Sequence, residues 1–154
     1  MLDELTDDVA AIGRIGCLSS ILELCSRLTG MRYVAVARVT DARWMACAVL
    51  DQAGFGIARG DELDLSTTIC DGVRGHLSAI LIENVAEDPI YRDHPTPQLF
   101  GFQSYVSAPI VRADGRLFGT LFAIDPAPAK LANSSAPTAF SLFAQLIAME
   151  LDRA

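Results

Sequence analysis

The side chains best equipped for chemistry lie in two stretches of this chain. TTICDGVRGHL carries Cys70, Asp71 and His76. AEDPIYRDHPTPQLFGF, residues 86–102, carries Asp88, Tyr91, Asp93 and His94 among prolines and phenylalanines. Asp88, Asp93 and His94 supply two carboxylates and an imidazole, a set that can bind a divalent ion. Yet Asp93 and His94 are adjacent, and Asp88-Pro89 reads equally well as the opening of a turn, so no metal site is assigned. Haem ligation by His76 or His94 is weaker still. A histidine beside acids could also move protons, but no nucleophile motif accompanies it. A solvated, capping or hydrogen-bonding role is the better reading of His94, and His76, late in a short helix, faces water or helps cap its end. The glycines of QAGFGIARGDE match neither GxGxxG nor the phosphate-loop pattern, so a backbone phosphate cradle has no support.

Composition narrows the classes further. A chain of 154 residues, 51% hydrophobic, fits one domain with ample core. The net charge of −7, with Lys130 the single lysine, opposes nucleic acid and anionic membrane surfaces as partners. No apolar run approaches the roughly 20 residues of a membrane helix, and the acidic start MLDELTDDVA is no signal peptide. The expectation is a cytoplasmic protein. The four cysteines, at 17, 25, 47 and 70, form no CxxC, and no histidine stands at zinc-ligand spacing. Cys17, Cys25 and Cys47 fall in apolar patterns and read as reduced, packed small hydrophobes.

The elements that must position these groups follow from periodicity. Residues 6–29 read as one helix, with Val9, Ile12, Ile15, Leu18, Leu22 and Cys25 at steps of three and four, a second stripe of Ile21, Leu24 and Leu28, and Gly30 as its C-cap. Residues 31–40 and 43–51 form a hairpin. A short helix spans about 67–77, and 79–85 is a strand. After the irregular 86–102 loop, strands 104–111 and 116–125 join through Asp114-Gly115, the strongest short hairpin signal present. Pro109, inside the first of these strands, needs a free edge or a bulge. Ser134 or Ser135 caps a closing helix with Pro137 in its first turn and Phe140, Phe143, Leu146, Ile147 and Leu151 on its apolar side. The class is α+β: a mainly antiparallel sheet, long terminal helices on one face, and a short helix and irregular loop over the other. Such small covers leave cavities, so a pocket belongs there.

FGFQSYVSAPIVRADGRLFGTLFAIDP, with a strand ending Ala-Pro-Ile, a turn at Asp-Gly and a strand beginning Leu-Phe-Gly, resembles the C-terminal half of a GAF domain. TTICDGVRGHLSAILIENVAEDPIYRDHP resembles the middle of the GAF domains ahead of bacterial sensor histidine kinases and cyclic-dinucleotide enzymes. The resemblance covers residues 1–154 as a single domain. It implies about six antiparallel strands, terminal helices that often pair with a second subunit, and a small-molecule pocket on the opposite face. It also implies a regulatory sensor read by an attached output module, a histidine kinase or a cyclic-dinucleotide enzyme, and not an enzyme itself. Two chemical branches of the family are disfavoured. Bilin-carrying members attach the pigment to a cysteine that aligns near Arg92. No cysteine lies between 71 and 154, the histidine that follows has only His94 as a loose counterpart, and the arginine used for the propionates falls near Gln103. Covalent bilin at the usual place is excluded, attachment through Cys70 would be a departure, and the cofactor is left unknown. Free methionine sulfoxide reductases need a loop cysteine that is missing here, though Cys70 sits near another of theirs.

Alternation in 104–111 separates Ser104, Val106, Ala108 and Ile110, a helix-facing set, from Tyr105, Ser107 and Pro109, which mix an aromatic ring with a hydroxyl. In the partner strand Thr120, Phe122 and Ile124 share a face, and the resemblance makes it the pocket face. With the covers, the expected ligand-binding set is Cys70, Val73, Tyr91, His94, Phe100, Phe102, Tyr105, Ser107, Thr120 and Phe122. The leading expectation is a sensor that binds a small organic ligand and signals through terminal-helix packing as a homodimer. The alternatives are a ligand-free dimerisation and relay domain with a filled pocket, and a redox enzyme.

Overall fold

The computed structural model describes residues 4–41, 43–63, 79–131 and 134–153. The helix expected at 67–77, with Cys70, Val73 and His76, lies outside the described residues. Two helices open the chain, α1 (Glu4–Gly13) and α2 (Leu18–Thr29). Strands β1 (Tyr33–Val39) and β2 (Trp44–Asp51) follow, then a two-residue β3 (Glu62–Leu63) and β4 (Ile80–Ile82). A 3-10 turn at Val85–Glu87 and a short helix α3 (Pro95–Phe100) lead to β5 (Ser104–Val111), β6 (Leu117–Asp125) and the closing helix α4 (Ala136–Arg153). The strands form one antiparallel sheet in the order β3-β2-β1-β6-β5-β4.

The single helix expected over 6–29 is two helices that meet at 82°. Gly13 ends α1 and Gly16 lies within the break, and each glycine costs a helix about 1 kcal/mol relative to alanine. The α1 winding tightens there into i→i−3 bonds, from Arg14 N–H to Ala11 O at 3.2 Å and from Ile15 N–H to Ile12 O at 3.1 Å. Val9, Ile12, Ile15 and Leu18 are all buried in one core. The same apolar spacing that reads as one helix is satisfied by two helices packed at an angle on one face of the sheet. Cys17 falls at this break and is exposed at the N-cap of α2, contrary to the packed role expected for it. Gly30 does terminate α2, in the left-handed region at φ 71°, with its N–H on Ser26 O at 2.8 Å.

The sheet separates two cores. On the helix side Val34, Val36, Met45, Cys47, Val106, Ala108, Ile110, Leu121 and Ala123 meet α1, α2 and α4. On the other side Tyr33, Ala35, Ala37, Trp44, Tyr105, Phe122 and Ile124 form a second cluster. The alternation expected for β5 and β6 is therefore observed. At the centre of the sheet β1 and β6 approach so closely that a side chain at Gly119 would collide with the Ala37 carbonyl oxygen, which is why the position carries none.

Several boundaries differ from the periodicity. The strand expected at 79–85 is Ile80–Ile82 and gives way to the 3-10 turn, where Asn84 accepts the Ala86 N–H at 3.1 Å. The sixth strand, Glu62–Leu63, sits in what reads as a glycine-rich loop; two residues paired to Trp44 and Met45 are too few to show a period. β4 starts at Ile80, opposite Ser107, so Pro109 lies past the described ladder on that side of β5. On α4, Leu146, expected on the apolar side, points outward; Ala136, Phe140, Ala144, Ile147, Ala148 and Leu151 are the buried residues.

Candidate functional site

The face opposite the terminal helices is built around Phe122. Its ring lies 5.9 Å from Tyr33, 6.0 Å from Trp44 and 6.1 Å, stacked, from Tyr105, which in turn stands 6.0 Å from Phe102. Register explains how so many rings fit. Ala35 pairs with Phe122 and Ala37 with Thr120, so small residues on β1 make room for large neighbours on β6. Phe55 closes the edge of the cluster, in edge-to-face contact with Tyr33 at 5.6 Å. The Tyr33 hydroxyl donates to Ile57 O at 2.9 Å, and burial foremost pushes its pKa up, so it stays a neutral donor.

Of the expected site residues, Phe102, Tyr105 and Phe122 are in this ring contact, and Tyr91 and Phe100 pack on the same cluster. Thr120 is buried, its hydroxyl donating to Ala108 O at 3.2 Å. Ser107 pairs with Phe122 on one side and Ile80 on the other. It is fully buried, and among the described residues its Oγ is the buried side-chain polar atom with no hydrogen-bond partner. A buried hydroxyl left unpaired costs about 1–3 kcal/mol. Cys70 and Val73 lie outside the described residues.

The 86–102 segment is more ordered than a loop. The Asp88 carboxylate accepts the N–H groups of Ile90 at 2.9 Å and Tyr91 at 3.0 Å, which makes Asp88-Pro89 the turn opener its sequence suggests. His94 is the N-cap of α3: its Nδ1 accepts the Thr96 N–H at 3.1 Å, with Pro95 following in the first turn. Asp93 faces Arg92 at 3.7 Å. Each of the three candidate metal ligands is thus turned to a local partner, and among the described residues no group of three or more His, Cys, Asp or Glu is placed to hold an ion. Tyr91 lies 5.8 Å from the His94 ring, and its hydroxyl is less acidic than usual through partial burial and then the nearby Asp88 charge.

Sequence reasoning missed the β1–β2 side of the face: Tyr33, Trp44, Phe55 and Ile57. Alternation in YVAVARV, which sets Tyr33, Ala35 and Ala37 against Val34 and Val36, is a signal that could have found Tyr33. Nothing local marks Phe55 and Ile57, which reach the face from a turn. That turn is tied to the Asp51 carboxylate, which accepts N–H groups from Ala53, Gly54, Phe55 and Gly56. Burial pushes the Cys25 and Cys47 thiols up to about 12 each, which makes them inert as nucleophiles near neutral pH.

The sequence profile of the GAF domain family matches residues 14–151. No curated protein sequence matches the chain significantly. Similar solved structures include the Thermosynechococcus elongatus PixJ GAF domain in its blue-light-absorbing form. It is 18% identical over 99% of this chain and 89% of that one, with a TM-score of 0.71. Another is the GAF domain of an Acinetobacter phosphoenolpyruvate-protein phosphotransferase, 12% identical over 100% and 96%, TM-score 0.68. A third is type II free methionine-R-sulfoxide reductase from Thermoplasma acidophilum, 14% identical over 88% and 90%, TM-score 0.65. At such identities the likeness shows a shared fold. Among the described residues, no single helix is long and apolar enough to cross a membrane. GAF domains are in general regulatory sensor domains, although that third relative is an enzyme. The profile match over nearly the whole length, with the two-faced antiparallel sheet beneath it, makes this chain a member of the GAF domain family.

Proposed function

We propose that this domain is a regulatory sensor that binds a small organic ligand on its aromatic face and transmits occupancy through its terminal helices, without catalysis of its own. The observation that carries the reading is the Ser107 hydroxyl, buried beside Phe122 and Ile80 with no protein partner among the described residues. A polar ligand group would supply the missing hydrogen bond, and the surrounding rings would supply stacking surface. The ligand-binding set retains Cys70, Val73, Tyr91, His94, Phe100, Phe102, Tyr105, Ser107, Thr120 and Phe122. His94 acts in it as the cap that shapes α3 and Thr120 through its bond to β5. Covalent bilin at the usual loop position has no cysteine to carry it. Native mass spectrometry together with an absorption spectrum of protein purified from its own host is the test. A mass increment or a chromophore band that disappears on denaturation supports the reading. Bare apoprotein mass under gentle conditions, with no spectral feature, counts against it.

A second reading, a relay domain whose pocket its own side chains fill, is favoured by the ring contacts of Phe122 with three neighbours. In both readings the domain works as a homodimer. Leu142, Leu146 and Met149 on α4 and Leu24 and Leu28 on α2 are exposed apolar residues on helices that otherwise pack inward, an arrangement suited to a bundle with a second copy. A histidine kinase or cyclic-dinucleotide output module and a cytoplasmic setting complete the proposal. Redox turnover of free methionine sulfoxide would have to use Cys70 or the exposed Cys17, since Cys25 and Cys47 are buried. An assay with pure protein and thiol that leaves the sulfoxide unreduced dismisses it.

A further inference from the structure

At the elbow between α1 and α2, on the opposite side of the sheet from the aromatic face, lies a cavity of about 580 Å³. Its walls include Ile15, Leu18, Leu22 and Cys47, and its polar border includes Arg14 and Arg59. These two arginines differ from the rest. Every other described arginine has a carboxylate within 3.7 Å, whereas among the described residues none pairs with Arg14 or Arg59. In a chain of net charge −7, acids are plentiful. Two guanidinium groups beside one cavity, with no ion-pair partner among the described residues, make that spot locally positive.

Both arginines rise from backbone that is held in place. Arg59 projects from a turn in which Asp61 N–H reaches Ala58 O at 2.9 Å. That turn is stapled to β2 by Gly60 N–H on Ala46 O at 2.8 Å and Ala46 N–H on Asp61 O at 2.9 Å. The Asp61 carboxylate is occupied with the Ala58 N–H at 2.7 Å. Arg14 ends α1 through its N–H on Ala11 O. The Arg59 guanidinium lies against Gly13, where a Cβ would stand 3.0 Å from Nη2. The missing side chain at 13 thus brings the Arg59 head to the backbone beside Arg14. α2 begins at the same cavity, and the side chain of its N-cap Cys17 accepts no N–H from the first turn, so the positive end of that helix adds to the field.

We propose that this elbow is an anion site. It takes a small organic carboxylate or phosphate whose oxyanion bridges Arg14 and Arg59 and whose apolar part lies against Ile15, Leu18 and Leu22. Guanidinium forks suit planar, bidentate oxyanion recognition, and the volume falls in the range of small-molecule sites. Occupancy would tie α1 to the turn that follows β2 and so fix the angle at the elbow. At about 100° per residue along a helix, Leu18 and Leu22 lie on the side of α2 away from Leu24 and Leu28. The anion site and the dimer surface proposed above can therefore be occupied together, and the two readings stand or fall separately.

Amide NMR titration of the full chain with sodium benzoate, phenyl phosphate and, as a neutral control, benzyl alcohol tests the inference. Saturable shifts at Gly13, Ser19 and Gly60 are expected with at least one of the two anions and not with the alcohol, and the tighter anion identifies the head group. Arg14→Gln and Arg59→Gln should each weaken binding by about tenfold or more, the scale of losing a charge-assisted hydrogen bond. Both should leave the Tm of the ligand-free protein unchanged, since both side chains are exposed. Absence of saturable shifts with either anion overturns the proposal. So does anion binding that survives the Arg14→Gln/Arg59→Gln double variant, or equal binding of benzyl alcohol.

Discussion

Arg32 and Asp125 lock the beginning of β1 to the end of β6. The guanidinium meets the carboxylate twice, Nε to Oδ1 at 2.9 Å and Nη2 to Oδ2 at 3.2 Å, while the Arg32 backbone N–H donates to the same Oδ1 at 3.0 Å. Asp125 also accepts the Ala127 N–H at 2.9 Å, and its side chain is only 6% exposed. Burial alone would raise its pKa. The Arg32 side-chain bonds, the two backbone N–H groups and the Arg32 charge outweigh that and hold it below the usual carboxylate range.

The first prediction concerns this pair. Asp125→Asn should cost about 1.5–3 kcal/mol near neutral pH, the range for hydrogen bonds to a charged group. A carboxyl more acidic folded than unfolded stabilises fully above its unfolded value of about 3.9 and loses that contribution as pH falls through the folded value. The stability gap between wild type and Asp125→Asn should therefore be full at about pH 6 and shrink below about pH 4. Urea denaturation across that range measures it, and a gap that stays constant would show that the charge is not responsible.

Phe122→Ala should be among the most damaging single changes on the aromatic face. It removes the ring that Tyr33, Trp44 and Tyr105 share, and large-to-small aromatic truncations in cores cost about 3–5 kcal/mol. Chemical denaturation gives the magnitude, and near-UV circular dichroism should lose intensity as the neighbouring rings become mobile. A cost below about 1 kcal/mol would mean the cluster is loosely packed.

Ser107→Ala separates the two readings of this face. In ligand-free protein, deleting a buried hydroxyl with no partner among the described residues should raise stability by about 1 kcal/mol, seen as a higher Tm. If a copurifying ligand bonds to that oxygen, the same change should reduce the bound fraction in native mass spectra. A clear loss of stability in apoprotein would show instead that the hydroxyl has a structural partner.

Leu142→Glu combined with Met149→Glu should convert a homodimer to monomer. Both side chains are more than half exposed, at 57% and 63%, so charges there are harmless to the isolated fold. Light scattering during size-exclusion chromatography at tens of micromolar reads the outcome. Wild type running as a monomer would remove the dimer from the proposed function.

Much of this protein is decided by local pattern alone. Alternation in SYVSAPIV and LFGTLFAID assigns each residue to a face because successive strand side chains must point to opposite sides of a sheet. Gly30 and Asp88-Pro89 act through backbone preferences that hold in any context. His94 could be anticipated as a cap because the proline after it sets the first turn of a helix. Other features exist only in three dimensions. The break between α1 and α2 preserves the helical spacing of Val9, Ile12, Ile15 and Leu18, so periodicity cannot reveal it; packing of both helices against the sheet does. The two-residue β3 owes its strand geometry to a partner in β2 rather than to its own residues. The meeting of Tyr33, Phe55 and Phe122, the solitude of the Ser107 hydroxyl and the convergence of Arg14 with Arg59 depend on register and on turns that join distant segments. Residue types set what these groups can do. Only tertiary contact decides which of them meet and which are left without a partner.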